Sequence, residues 1–537
     1  MQIIISDINW YIPALALIIL VIASLFLAKP LMRYVISRVT NDAMAKLLSD
    51  DYDQNLAELL PSLKRFSLLN LLEMSLRAES GKAITRPLGS PKQFLGFDNL
   101  MFSPRQMTRF SLPENAQIDM SVTIGVNAEK PLTLKIPLMI GAMAYGLALS
   151  EEAKIALARA SKILQTATNS GEGPFLPEEP EAAGKFILQI CRWPSWGART
   201  DQQIAVSDML EVQMGQGADL GTARIEAKDI EGRARILGGL APGEPAIALP
   251  APPGIQTPED WPKFMKDLRQ RAKGIPIALK LMATNRLEEE LAVAVDLGFD
   301  AIVIDGAGAG SHATAPIKQD DFGIPSLHAL IRAKHYLRNT QISIIAAGRF
   351  FTPGQCLKAL ALGADAIYLG TVPLLALAHN QTTKVTPWEP PTTLVYYNSP
   401  MKKLLNIDQA ATSVANVMTS MVLEMEEAMR ALGKSSLKEL SPDDLVALDS
   451  YTAEITKVKR VFDYKNPTTQ QSSYEEQQCR KSLEQLTASL RYAHSLEQLM
   501  ESVLLELCYS NSLSRIQSLK SEYNALVQQK GILDKIP

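Results

Sequence analysis

"ISIIAAGRFFTPGQCLKALALGADAIYLGTVP", residues 342–373, holds two apolar runs, 342–348 and 366–370, with a helical pattern between them. Neither run alternates polar with apolar residues, as expected of strands buried on both faces of a parallel sheet. Six similar runs precede them: "PLMIGAM" (137–143), "LQTAT" (164–168), "FILQI" (186–190), "MLEVQM" (209–214), "IPIALKLM" (275–282) and "AIVIDG" (301–306). Helical stretches such as "SEEAKIALARASKI" and "RLEEELAVAVDLG" separate most of them. Eight β/α repeats in roughly 240 residues predict an α/β fold of the (β/α)8 TIM-barrel type, with a doubly wound sheet as the alternative.

The chain has 537 residues, 47% hydrophobic and 21% charged, enough for one large domain with appendages. A formal net charge of −3 argues against nucleic-acid binding, which calls for a basic excess. The four cysteines (Cys191, Cys356, Cys479, Cys508) lack metal-ligand spacing and read as free thiols of a reducing compartment. Ahead of the barrel, "WYIPALALIILVIASLFLA" (10–28) is 19 uncharged residues behind a short tail (1–9). That length approaches the ~20 residues that cross a bilayer. Lys29, Arg33 and Arg38 follow it, which predicts a single-pass inner-membrane anchor with the barrel in the cytoplasm. Residues 29–95 are expected to form a helical linker or cap, interrupted at Pro61, with residues 96–465 forming the barrel domain. Residues 466–537, polar and helical in pattern, form a C-terminal tail.

In a barrel the C-terminal strand ends carry the active site, and the loops after strands seven and eight commonly hold phosphate. Those loops contain Gly348 with Arg349, and Gly370 with Thr371, whose amides and side chains offer anion donors. "IDGAGAGSHATAP" (304–316), after strand six, sets Asp305, Gly306, Gly308 and Gly310 beside them. His312 in that loop is a candidate acid or base, the alternative being a loop histidine bonded only to backbone. Trp193 and Trp196, in "CRWPSWGART", stand near the end of strand three, either as pocket walls or as core.

"GAMAYGLALSEEAKIALARA" (141–160) with "TNSGEG" (168–173) resembles the FMN-binding domain of glutamate synthase. The likeness continues through "VQMGQGA", "IALKLM", "IDGAGAGSHATAP" and "ANVMTSMVLEMEEAMRALG", over about residues 95 to 445. It implies an FMN barrel in which Gly141, Ala142 and Met143 pass along the flavin ring. It further implies Lys280 beside the pyrimidine edge, Glu172 at the substrate pocket, and Gly348, Arg349, Gly370 and Thr371 at the phosphate. Gln216, Asp305, Gly306 and Gly308 complete the expected cofactor shell, with Lys280, Glu172 and His312 as the catalytic candidates. The family activity, reductive amination of 2-oxoglutarate to glutamate, comes with departures. Gln213 and Asp219 stand where the family has two lysines, with Arg224 as the one nearby compensation. No cysteine occurs between 357 and 478, so no iron–sulfur cluster and no metal site are expected there. Residue 2 is Gln, so neither an N-terminal cysteine nucleophile nor a glutaminase domain is expected. An FMN oxidoreductase of another small substrate, or a non-catalytic barrel serving as an interaction module, are the rival readings. An electron-donor or ammonia-supplying protein partner, and a homo-oligomer, are compatible with the first.

Overall fold

The computed structural model of the chain describes residues 4–52, 55–311, 314–462, 517–521 and 524, the side chains of 4–12, 18, 22–26 and 56 excepted. The chain divides into two units, Met1–Val458 and Lys459–Pro537. The tail expected over 466–537 lies outside the described residues except at 517–521 and 524, which are helical.

Eight parallel strands close a barrel. They are β1 (Leu138–Ile140), β2 (Ala167–Asn169), β3 (Lys185–Ile190), β4 (Met209–Gln213), β5 (Ile277–Met282), β6 (Ala301–Asp305), β7 (Ser343–Ala347) and β8 (Ala366–Leu369). Each falls on one of the eight runs read from the sequence. The seam joins β8 to β1 with Tyr368 opposite Met139, and β4 meets β5 with Gln213 opposite Lys280. The doubly wound alternative is thereby excluded.

Side chains alternate across each strand. Met139, Ala167, Ile187, Met209, Ala278, Val303, Ile345 and Tyr368 fill the interior as one buried cluster. An antiparallel hairpin, Val122–Ile124 with Leu132–Leu134, adds Ile124, Leu132 and Leu134 to that cluster. Its Gly125 N–H donates to Ser343 Oγ at the start of β7, so the hairpin closes the N-terminal end. The opposite end is left for the site.

The N-terminal helices α1 (Ile4–Ser49) and α2 (Leu59–Ser80) precede the barrel. Within the barrel domain α3 (Glu151–Leu164) follows β1, capped by Ser150, whose Oγ accepts from the Ala153 amide. The short α4 (Thr371–Ala378) follows β8, and the long α5 (Ile407–Ala431) packs along both α3 and α4. Val414, Met418, Met421, Met425 and Met429 are the buried face of α5, at helical spacing.

Two expectations about the N-terminal region need correction. The run 10–28 lies inside α1, a helix that continues to Ser49 through Lys29, Arg33 and Arg38, and part of the run lies outside the described side chains. Among the described residues no helix is long and apolar enough to cross a membrane. The single-pass anchor, and the inner-membrane placement that depended on it, therefore lack structural support. Secondly, the helical stretch breaks before Pro61 and again at Ser67, where φ is +60° and α2 kinks, but not at Pro61 itself. Asn55 Nδ2 donates to the carbonyls of Lys46, Leu47 and Asp50 at 3.0–3.1 Å and so ends α1. Pro61 falls in the first turn of α2, where no intrahelical partner for an N–H is missed.

Candidate active site

A cavity of about 650 Å3 opens at the C-terminal ends of the strands. Ala142 and Met143, after β1, line it together with Gly370 and Thr371, after β8. The β8–β1 seam brings these segments side by side, and the Gly141 N–H donates to Leu369 O at 2.9 Å. Gln189 contributes from the end of β3, Glu172, Trp193, Gln216 and Asp219 from the loops after β2, β3 and β4, and Gly310 from the loop after β6.

Glu172 is the best-supported acid in the wall. Trp193 Nε1–H donates to its Oε2 at 3.2 Å, and Trp196 Nε1–H donates to its backbone carbonyl at 2.8 Å. The two indoles stack at 5.4 Å and both are buried; Trp193 also lines the cavity, whereas Trp196 does not. Burial pushes the Glu172 carboxyl above the usual range, and Asp219 adds to the effect; Arg192 and the hydrogen bonds from Trp193 and Gln213 oppose it.

A polar layer crosses the barrel interior at the same end. Gln189 Nε2 donates to Glu211 Oε1 at 2.6 Å, and Tyr368 Oη to Glu211 Oε2 at 2.9 Å. Asn169 Nδ2 donates in turn to Tyr368 Oη at 3.1 Å. Lys280 Nζ lies 3.3 Å from Asp305 Oδ2. Burial works against the Lys280 charge, but Asp305 and Glu211 outweigh it and hold the ammonium above the usual lysine range. Gln213 Oε1 and Asp305 Oδ1 are buried acceptors with no hydrogen-bond partner among the described residues. Neither Lys280 nor Asp305 reaches the cavity wall.

The glycines after β6 and β7 answer mainly to protein packing. A Cβ on Gly306 would fall 2.6 Å from Ser326 Cα, and one on Gly308 2.9 Å from the Phe94 ring. Gly348 has φ +98°, with Gly306 N only 2.7 Å from where its Cβ would lie. Arg349 directs its guanidinium to the carbonyls of Ser90 and Lys92 and over the Phe94 ring. His312 lies outside the described residues.

What sequence reasoning missed is the strap, residues 83–94. Ala83, Ile84, Pro87 and Leu88 line the cavity. The Arg86 amide pairs with Thr314 O. Its guanidinium bridges Glu73 of α2 (2.6 Å) and Asp320 beyond the β6 loop (2.9 Å). A short motif search has no access to such a triad, because its members are far apart in the chain.

The strand-four departures also look different in three dimensions. Gln213 is buried in β4 and hydrogen-bonds Glu172. Asp219 sits between Lys318 Nζ (3.3 Å) and Arg192 Nη2 (3.8 Å), so its charge is balanced by two cations. Arg224, although at the cavity, is exposed and bonded to Glu226 at 2.7 Å.

A closed β/α barrel with one polar-rimmed cavity at its C-terminal mouth defines a small-molecule site of the usual enzyme type. The conserved region in glutamate synthase matches residues 96–435, and the chain belongs to that family. A glutamate synthase large subunit-like protein of Rhizobium meliloti (strain 1021) is 29% identical over 417 residues, 73% of this chain and 93% of the relative. The archaeal-type glutamate synthase (NADPH) of Thermotoga maritima is 27% identical over 414 residues, 69% of this chain and 78% of the relative. Among solved structures, a flavocytochrome b2 with bound sulfite aligns at a TM-score of 0.44 and 18% identity, covering 70% of this chain and 84% of that one.

Proposed function

We propose that the protein is an FMN-dependent oxidoreductase of the glutamate synthase type, acting on a small molecule held at the barrel mouth. The observation that carries this reading is the single cavity wall shared by Ala142, Met143, Gly370, Thr371 and Glu172. Although none of them lines the cavity itself, the buried groups next to it have the chemistry a flavin calls for: the unpartnered acceptors Gln213 Oε1 and Asp305 Oδ1 suit ring N–H groups, and the Lys280 ammonium suits a carbonyl edge. Bound FMN would supply two-electron redox chemistry.

The chain's own residues would then divide the remaining work. Ala142 and Met143 present backbone to the ring. Gly370 and Thr371 flank the phosphate with backbone open to the cavity, whereas Gly348 packs on Gly306 and Ser326 and the Arg349 side chain serves the strap. Lys280 holds a fixed positive charge in a site poor in water, stabilising negative charge that develops nearby. Glu172 keeps a proton to higher pH than an ordinary carboxyl and can pass it at Oε1 or Oε2. His312 is the second candidate for proton transfer.

A second reading, the same redox chemistry on a substrate other than 2-oxoglutarate, is favoured by Asp219 and Gln213 at the family's lysine positions. The lack of cysteine between 357 and 478 supports electron entry from a soluble donor or a protein partner without an iron–sulfur cluster. The test is to reduce the flavin-loaded protein anaerobically and add 2-oxoglutarate with ammonium. Glutamate formation with flavin reoxidation supports the first reading. Reoxidation by another small acceptor alone supports the second.

A further inference from the structure

The loop that carries Glu172 runs from Asn169 to Gly173, and every carbonyl along it is held by a side chain from behind. Lys154, fully buried on α3, donates from Nζ to Asn169 O at 2.8 Å and Ser170 O at 3.3 Å. Arg199, also buried, donates from Nη2 to Gly171 O at 3.2 Å and Gly173 O at 2.9 Å, and from Nε to Gln189 O at 2.8 Å. The remaining carbonyl, that of Glu172, accepts from Trp196 Nε1 and Cys191 Sγ. Lys154 Nζ reaches one more acceptor, Met143 O at 2.7 Å, on the segment proposed to face the flavin ring.

Backbone contact completes the arrangement. A Cβ on Gly171 would lie 2.6 Å from Met143 C, and one on Gly173 2.1 Å from Tyr145 O. The two glycines of "SGEG" therefore let this loop lie directly on residues 143–145. Burying an ammonium and a guanidinium is costly unless each is paired and hydrogen-bonded. Lys154 meets this through Glu179, 2.8 Å away and equally buried. A buried cation aimed at several main-chain carbonyls fixes them more strongly than neutral donors would.

We propose that Lys154 and Arg199 are positioning residues: two buried cations clamp the Asn169–Gly173 carbonyls and Met143 O, and so fix where the Glu172 carboxyl stands relative to the Met143 backbone. This rests on the reading of Glu172 and Met143 as cavity groups. Neither cation lines the cavity, so both act through the loop.

The test compares the full-length protein with the double variant Lys154→Met, Glu179→Gln, which removes the pair without changing net charge or stranding a carboxylate. The Trp193 indole donates to the Glu172 carboxylate and stacks on Trp196, which donates to the Glu172 main-chain carbonyl, so tryptophan fluorescence against pH, corrected by the same titration of Glu172→Gln, reports the carboxyl's position. With the clamp loosened, the Glu172-dependent transition should lose at least about half its amplitude, and FMN should bind about tenfold more weakly. Fluorescence unchanged in amplitude and midpoint, in a double variant with native circular dichroism, would overturn the proposal. Should the double variant not fold, Arg199→Lys decides: it keeps the charge but cannot span Gln189, Gly171 and Gly173, and an unaltered transition there overturns the proposal equally. The fluorescence arm needs no flavin. Failure of the unaltered protein to take up FMN would therefore count against the proposed function alone.

Discussion

Lys280 on β5 and Asp305 on β6 form a 3.3 Å ion pair inside the barrel, with each side chain almost sealed from solvent. Glu211 adds a second carboxylate to the same enclosure. Removing the ammonium strands these charges, and breaking a buried pair from one side typically costs about 3–5 kcal/mol. Lys280→Met should lose stability of that order in urea denaturation, and Lys280→Met with Asp305→Asn should regain part of it. A single variant as stable as the unaltered protein would mean that the pair is not formed.

Arg86 ties the strap to α2 and to the segment after β6. Hydrogen bonds to charged groups contribute about 1.5–3 kcal/mol each when well buried, and Arg86 makes them to both Glu73 and Asp320. Arg86→Ala should therefore destabilise the protein by roughly 2–4 kcal/mol and speed proteolytic cleavage within residues 83–94. Lys92→Ala breaks an exposed pair with Asp321 and an exposed hydrogen bond to Asp320 O at 2.8 Å, together expected to cost about 1 kcal/mol or less. Equal cleavage rates for the two variants would refute this function of Arg86.

The barrel was legible because strands buried on both faces read as unbroken apolar runs, and each of the eight found its place. Ala142, Met143, Glu172, Gln216, Gly370 and Thr371 were legible through family motifs, and they do meet at one cavity. The strap was not, since Arg86 and Asp320 are joined only by the fold. The glycine-rich β6 loop was only half legible. Glycine signals close approach, but sequence does not reveal whether a ligand or another chain segment approaches, and at Gly308 it is Phe94. Asp219 was half legible for a related reason: sequence shows a carboxylate in place of a family lysine, and only the fold shows Lys318 and Arg192 beside it.

Gly348 and Gly370 should respond differently to substitution. At Gly348 a side chain meets both a positive φ and a backbone nitrogen, so Gly348→Ala should cost about 1–3 kcal/mol. At Gly370 nothing lies within 4 Å of an added Cβ and φ is −105°, so Gly370→Ala should change stability by less than about 0.5 kcal/mol. Gly370→Glu should likewise fold, yet weaken FMN binding at least about tenfold, by setting a carboxylate against the phosphate. Thermal melts and flavin titration of the three variants check this.

The Glu172 carboxyl is raised above 4.5, chiefly by burial. A carboxyl raised in the folded state binds its proton more tightly there than when unfolded, so its contribution is fully present below about pH 4 and is lost as pH rises through the folded pKa. Glu172→Gln should match the unaltered protein in stability at pH 4 and exceed it at pH 8. Urea midpoints across that interval measure the difference. A difference that shrinks as pH rises would reverse the assignment.

FMN uptake tests the central claim most directly. Flavin-free full-length protein titrated with FMN should bind one equivalent, quenching flavin fluorescence and structuring the visible absorption band, and Gly370→Glu should suppress both changes. Protein with native circular dichroism that leaves FMN fluorescence and absorption untouched at every concentration would contradict the account.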